Sequence, residues 1–426
     1  MGTVDRWHKA RAGPDDQVCA EHSSRTKTLY PAQGHGSGLR WQVRYRDANG
    51  SQRKENFARK PDADARAAEV ATDLRRGEYS DRKAGRETFR AVAERWRTSA
   101  QHRPSTAASV RQRLESHVYP VLGDRPVAAI RPSEVQAWIK GRSEVLAPVS
   151  LRNTYAIIKT VMRTAVLDGI IRTSPCDGVR LPPTRGAEIV PPGDVAVLAL
   201  IDAAPTMRER ALVFLAAASG LRQGELFGLE VRHVDFLRRE VRVEQQLCDV
   251  TGKGAGGVFL GPPKTHEATR VVPLAQAAVD AVAAYLAQHP VSEVEVWDRT
   301  NPRKPIRRKA RLLFPNAAGR PMQRSPWARS WSGIVGAANA SLEASGSDVR
   351  VPAGTTLHDL RHYYASLLIK HRESVKTVQK RLGHSKPSIT LDTYTHLWPT
   401  DQDTTRAAVA AVLGDVPPMC PAREAG

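Results

Sequence analysis

The sequence predicts a multidomain α+β protein: a small N-terminal three-stranded sheet plus one helix, then a helical bundle, then a mainly α domain with a small antiparallel sheet. Three observations carry this expectation. At 426 residues the chain is longer than one typical core organises. Its hydrophobic pattern begins with strand-like alternation, turns helical in the middle and then mixes the two. Proline and glycine fall where the pattern changes.

Residues 1–25 are polar and irregular, and are expected to be disordered. Leu39 to Arg46 alternates apolar and polar side chains, as a half-buried strand does. Asp47-Ala48-Asn49-Gly50 supplies a hairpin turn and Ser51 to Phe57 the return strand. Asp62 to Arg76 reads as a helix stopped by Gly77, which places a first domain at 26–87. Helices are expected at Phe89–Ser99, Ser105–Val118, Ser133–Gly141 and Ser150–Gly169, with Ser133 and Ser150 as N-caps, in a second domain at 88–181. Residues 182–187 read as a linker. A third domain at 188–413 mixes helices with strands near Val241–Gln245 and Ala268–Leu274. Thr251 to Gly257 reads as a glycine-rich loop. Arg299 to Arg311, with seven basic residues and no acid, reads as a basic surface loop. The tail, 414–426, is expected to be unstructured.

Composition narrows the partner. There are 64 Lys+Arg against 44 Asp+Glu, a net charge of +20 and a pI of about 10.2, which suits a polyanion such as nucleic acid. The excess is steepest between Thr88 and Ala187, and basic helices suit a DNA backbone. A small sheet fits a DNA groove, although it serves equally as a structural cap. Candidate DNA contacts are Arg44, Arg46 and Arg53 on the strands, with Arg111, Arg113, Arg152, Lys159 and Arg163 on the helices. Cys19, Cys176, Cys248 and Cys420 are scattered and fit neither a zinc spacing nor a disulfide framework. No metal is therefore expected, and a reducing cytoplasm is. The N-terminal stretch lacks a signal-peptide core, and no apolar run is long enough to span a bilayer, so a membrane is not an expected partner.

The chemistry lies in the last half. Gly220-Leu221-Arg222-Gln223-Gly224-Glu225 is followed by Lys264 after Pro262-Pro263, His358-Asp359-Leu360-Arg361, Leu382-Gly383-His384-Ser385, and Tyr394 in Asp392-Thr393-Tyr394. No trio of acids accompanies these motifs to hold two Mg²⁺ ions, so cations would neutralise a phosphate directly. Arg222 opens a helix expected at Gln223–Glu230, where a guanidinium grips phosphate oxygens beside a helix N-terminus. Glu225 reads as its structural partner. His358 and Arg361 share a helix face, and Thr356 with Asp359 has capping-box spacing. That places His358 in a first turn, where the dipole favours a neutral imidazole able to accept a proton. Lys264 is positioned to protonate a leaving oxygen, with Lys253 as its rival. His384 is placed to hydrogen-bond a phosphate oxygen. Tyr394 is the candidate nucleophile, with Tyr363 and Tyr364 as competitors that read as core residues. Each motif taken alone also has an ordinary structural explanation.

Together, in this order, the motifs resemble the tyrosine recombinases of the phage integrase family, in a form similar to integrases of actinobacterial phages and mobile elements. The resemblance implies an arm-site DNA-binding module at Trp41–Gly85, a helical core-binding module at Thr88–Leu181 and a catalytic module at Glu188–Leu413. It implies catalytic roles for Arg222, Lys264, His358, Arg361, His384 and Tyr394, with no cofactor. It further implies a 3′-phosphotyrosyl link, a Holliday junction, and dimers on inverted attachment sites that synapse into a tetramer. An excisionase, a DNA-bending host factor, a bacterial cytoplasmic setting near the nucleoid, and docking of a helix near Thr404–Leu413 on a neighbouring protomer would follow. The alternatives are a type IB topoisomerase-like enzyme, a catalytically silent DNA-binding regulator, and a metal-dependent transposase.

Overall fold

In the computed structural model, described for residues 2–9, 11–47, 50–76, 84–183, 188–250, 257–398 and 402–414, the chain divides into two units, Met1–Thr184 and Arg185–Gly426. The first unit begins with an antiparallel three-stranded sheet. Its central strand, Trp41–Arg46, pairs with Gln52–Phe57 on one side and with Gly2–Asp5 on the other. Alternation turns Val43 and Tyr45 inward, where they meet Ala63 and Val70 of the helix Lys60–Arg76. The third strand is a correction, because Gly2–Asp5 lies inside the segment expected to be disordered. Only Val4 on it is a large apolar residue, so it is held by ladder hydrogen bonds that a hydrophobicity pattern does not report. The hairpin turn is partly described: the Gly50 amide donates to the Asp47 carbonyl at 2.9 Å, with Gly50 at φ 79°, while Asn49 and Gly77 lie outside the described residues.

The same module also brings together possible metal ligands. His8, Cys19, His22 and His35 converge so that their ligand atoms all lie within 4.8 Å of one another. The cysteine spacing carried no such pattern, because three of the four groups are histidines, His8 on the short strand His8–Lys9 and His22 and His35 on separate turns.

The bundle that follows contains the helices Phe89–Ser99, Pro104–Arg113, Pro132–Ser143 and Pro148–Leu167. Thr88 caps the first, its hydroxyl accepting from the Ala91 amide at 3.2 Å. The second runs on into a π-helical stretch, Leu114–Gly123, that contains Pro120. Ser133 and Ser150 are not the N-caps. Arg131 and Ala147 occupy those positions, because Pro132 and Pro148 take the first helical place, where a missing N–H costs nothing. Phe89, Leu114, Val135, Ile158 and Met162 are fully buried in the bundle core.

Among the described residues the second unit has two sheets. One is antiparallel, Arg270–Pro273 beside Glu240–Val243 beside Val234–Asp235. The other runs Ile306–Ala310, Val294–Asp298, Gly257–Gly261, Gln246–Val250, and its middle pair is parallel. The basic stretch is therefore not a loop throughout. Its second half is a strand whose cations pair with acids from elsewhere: Arg307 with Glu295 at 3.1 Å, Lys309 with Glu293 at 3.3 Å, and Arg308 with Asp298 at 2.6 Å and Glu230 at 2.7 Å. A charge count within the stretch cannot see those partners. Residues 251–256, including Lys253, lie outside the described residues, as does the tail after Gly414.

Helices Asp194–Asp202, Met207–Ser219, Gln276–Gln288, Arg324–Ala344 and Asp359–Lys370 pack on these sheets around Leu212, Val241, Leu260, Phe314 and Leu360. The helix opened by Arg222 is shorter than expected, Gln223–Phe227, and Gly228 ends it. A Cβ on Gly228 would sit 2.6 Å from the Leu247 amide nitrogen. The helix Gln402–Leu413 exposes Val409, Val412 and Leu413. No helix among the described residues is long and apolar enough to cross a membrane.

Gly220 ends the helix Met207–Ser219 at φ 60°, and a Cβ there would lie 2.4 Å from Tyr364 Cδ1. We expect Gly220→Ala to cost about 2–4 kcal/mol, combining left-handed backbone strain with overpacking. Urea unfolding checks this; an unchanged midpoint and slope would contradict it.

Candidate active site and nucleic-acid interface

Two glycines build the floor of the site. Gly220 and Gly383 both cap helix C-termini in the left-handed conformation, leaving last-turn carbonyls open to donors. Arg361, from the helix Asp359–Lys370, is 2% exposed and donates Nη1 to the Gly220 carbonyl at 2.7 Å and Nη2 to the Leu382 carbonyl at 2.6 Å. Arg222 donates Nη2 to the Gly383 carbonyl at 3.2 Å and Nη1 to Glu225 at 2.9 Å. The Glu225 carboxylate also accepts the Arg222 amide at 2.9 Å, closing the helix start.

Glu225 has a second cation that the sequence reading missed. Arg270 Nη2 donates to it at 2.9 Å, while Nε and Nη1 donate to the Arg381 and Ala268 carbonyls. Alternation along Arg270–Pro273 puts Arg270 on the same buried face as Val272, and that inward charge is the signal that could have found it. Burial alone would raise the Glu225 pKa, but Arg270, Arg222 and Arg361 overcome it and hold the carboxyl below its ordinary value. Three guanidiniums thus surround one carboxylate. Burial, then the Arg222 charge, lower the Arg361 pKa from its usual value, yet a guanidinium stays protonated at neutral pH. The site carries surplus positive charge in a place where charge is expensive, as an anion receptor does.

Tyr394 ends the helix Pro387–Tyr394 and is 1% exposed. Burial raises its phenol to about 12, against the opposing pull of Arg361 and Arg222. Its hydroxyl lies 2.7 Å from His362 Nδ1. Burial pushes the His362 pKa down, so the hydroxyl donates and the neutral ring accepts. His362 is the second residue the sequence reading missed, and it stands directly after Arg361. His358 is one helical turn earlier, in the N-cap position; the two rings are 4.9 Å apart, edge to face. The expected capping link is present, Thr356 N and Oγ1 each donating to Asp359 at 2.7 Å. His358 is exposed as a residue but lines a cavity of about 550 Å³ with Gln223, Trp327 and Thr356. Packing around the ring, then His362 and Arg361, lower its pKa to about 4. His384 follows Gly383, its Nδ1 2.9 Å from Thr390 Oγ1; burial and the arginines lower its pKa to about 3.

Five of the six expected catalytic residues therefore cluster closely enough to shift one another's pKa values. No hydrogen bond or ion pair ties Lys264 to them. It is exposed on the loop between Gly257–Gly261 and Arg270–Pro273, with no hydrogen bond or ion pair among the described residues. The rival tyrosines are engaged elsewhere: Tyr363 donates to Asp194 at 3.0 Å, and Tyr364 is buried against Gly220.

The depressed histidines set a pH dependence. In the unfolded chain they bind protons near the ordinary value of about 6.5, whereas the folded chain holds them neutral. Stability is thus expected to fall as pH drops from about 6.5 toward 4, and His384→Gln to flatten the slope between pH 7 and 5. Thermal melts at those two pH values check this; a slope unaltered in the variant would count against it.

The candidate DNA contacts divide. Arg152, Lys159 and Arg163 are exposed and form one stripe along Pro148–Leu167. Arg44 and Arg46 are exposed on one face of the first sheet. Arg113 instead ties two helices, donating to the Ser150 carbonyl and the Thr154 hydroxyl at 3.0 Å each. Arg53 pairs with Asp47 at 2.8 Å, and Arg111 with Glu115 at 3.9 Å.

The phage integrase family domain matches residues 195–400, and the phage integrase central domain matches 89–181. The chain belongs to the phage integrase family. Its relatives within the family include the integrase of Mycobacterium phage D29, 28% identical over 64% of this chain and 65% of that protein, so the likeness covers less than two thirds of the relative. A putative prophage phiRv2 integrase of Mycobacterium tuberculosis is 25% identical over 81% of this chain and 86% of its own length. The Tn1549 transposon integrase solved with transposon right end DNA shares the fold, with a TM-score of 0.62 and 22% identity over 76% of this chain and 99% of that one. A lambda integrase dimer bound to a core site aligns with a TM-score of 0.51 and 17% identity over 85% and 95%. In this integrase-family chain the central-domain match covers the helical bundle, and the larger match contains every residue of the arginine cluster.

Proposed function

We propose that the chain is a site-specific DNA recombinase that cuts and rejoins double-stranded attachment sites through Tyr394, integrating or excising a phage or mobile element. The observation that carries this reading is the surplus positive charge of Arg222, Arg270 and Arg361 around Glu225, beside a buried tyrosine hydroxyl held by a neutral histidine. A DNA phosphate supplies the missing negative charge. Arg222 and Arg361 hold its non-bridging oxygens and His384 adds a hydrogen bond. Tyr394 attacks phosphorus, its proton passing to a neutral imidazole of the His358–His362 pair. The P–O bond to the 5′-oxygen breaks, and Lys264, brought in from its loop, protonates that leaving group. A 5′-hydroxyl of a second duplex reverses the step, so no cofactor is consumed.

Residues 26–87 serve in this reading as an arm-site module and 88–181 as the core-site clamp, with the Arg152–Lys159–Arg163 stripe on phosphates. The exposed apolar residues of the C-terminal helix suit docking on a neighbouring protomer in a dimer and then a tetramer. An excisionase and a DNA-bending host factor fit the arm module, and the setting is the bacterial cytoplasm.

The test is a nicked attachment-site duplex incubated with the chain in the absence of added Mg²⁺. The expected result is an SDS-resistant adduct whose tryptic peptide carries the nucleotide on Tyr394. DNA binding without an adduct on any nicked site would favour the regulator reading instead.

A further inference from the structure

We propose that the first module holds a structural zinc ion, bound by His8, Cys19, His22 and His35. Among the described residues these are the groups that could hold a metal ion, and their burial runs from full for His8 and Cys19 to partial for His22 and His35. Zn–N bonds of about 2.0–2.1 Å and a Zn–S bond of about 2.3 Å in tetrahedral geometry require ligand atoms roughly 3.3–3.6 Å apart. Three of the pairs lie close to that spacing. Cys19 Sγ lies 3.4 Å from His22 Nδ1 and 3.2 Å from His35 Nε2, and the two histidine nitrogens are 3.3 Å apart. As hydrogen bonds these three contacts would compete for very few protons; as the edges of a coordination tetrahedron they need none.

His8 supplies the independent observation. Its side chain is 1% exposed, its Nε2 is buried with no hydrogen-bond partner, and its ring lies 5.0 Å from those of both His22 and His35. An orphaned buried ring nitrogen is costly unless something binds it. The other nitrogen, Nδ1, is 3.0 Å from Asp5 Oδ2, and the same carboxylate accepts from Arg40 Nη2 at 2.9 Å. A carboxylate on one nitrogen fixes the tautomer and frees the other for a metal, an arrangement that recurs behind zinc-bound histidines.

The surrounding chain needs such a staple. Among the described residues between Arg6 and Arg40 the buried apolar ones are Cys19 and Leu29, and the apolar cluster of the first sheet draws none of them. A segment of this length with almost no core is held by a disulfide, a metal or nothing. Through Asp5, which ends the strand Gly2–Asp5, the ion would fasten that edge strand to the loop that returns at Trp41.

The test uses the full chain, freed of any affinity tag and purified without chelator. Elemental analysis is expected to give one zinc per chain, falling to background in the Cys19→Ser/His22→Ala double variant. Cobalt(II) added to metal-free wild type should give intense tetrahedral d–d bands and a thiolate-to-cobalt charge-transfer band. Asp5→Asn, which keeps the ligands, should weaken metal affinity about 10–100-fold. Zinc well below one per chain, with no thiolate band on cobalt titration, would overturn the proposal. So would a full zinc equivalent retained by the double variant. The cobalt spectrum of the wild type decides the matter even if the double variant does not fold.

Discussion

Tyr394→Phe is expected to abolish the covalent adduct while leaving DNA affinity within about threefold of wild type, a change under ~0.7 kcal/mol. The hydroxyl is spent on His362 in the free protein, so its loss removes nothing that faces DNA. Folding stability should drop by only about 1 kcal/mol, since one buried hydrogen bond is lost and His362 Nδ1 is left unpaired. The chemical step has no substitute. With its pKa near 12, the phenol is ionised in only about one molecule in 10⁵ at pH 7, so attack depends on an adjacent base and on phosphate-bound arginines. Denaturing gels of wild type and variant on the same nicked duplex check this, beside binding isotherms. Strand exchange by the variant at a wild-type rate would sink the assignment.

Arg361→Ala should slow cleavage by about 10²–10³-fold, the scale for deleting one preorganised donor to a developing oxyanion, and should also destabilise the fold. The second effect follows from burial. Removing the guanidinium leaves the Gly220 and Leu382 carbonyls without that donor, at about 1–3 kcal/mol for each group left unsatisfied. Arg222→Ala is expected to show a similar loss of rate with a smaller loss of stability, because its side chain is 25% exposed and water can replace it. Single-turnover cleavage and urea unfolding of both variants separate the two effects. Near-normal cleavage by either would contradict its role. Equal stability losses would show that the difference in burial does not matter.

The candidate motifs at Arg222, His358–Arg361 and His384 were legible because each sits on a local structural signal. Gly220 and Gly383 mark helix ends, Thr356 and Asp359 a helix start, and the reactive residues follow those marks at short, fixed distances. The family resemblance then gave the motifs their order. Arg270 and His362 were not found, for different reasons. Arg270 reads as one more basic residue in a strand until the fold sets it beside Glu225, 45 positions away in the chain. His362 stands next to a stronger candidate, and its contact with Tyr394 spans 32 positions. The N-caps at Arg131 and Ala147 turn on competition between neighbouring residues: a proline at the first helical position displaces the serine cap expected one or two residues later.

By itself the sequence determined the strongly basic balance, the helical middle, the first hairpin and the chemical types at the six motif positions, because these rest on composition and near-neighbour spacing. The tertiary structure decided which charges are compensated. It gave Arg308 its acids, tied Arg113 between helices, left three arginines sharing Glu225, and turned three histidines and a cysteine toward a common point. Net charge is a sum over the chain, whereas burial and pairing depend on which groups meet in space, and only folding brings those groups together.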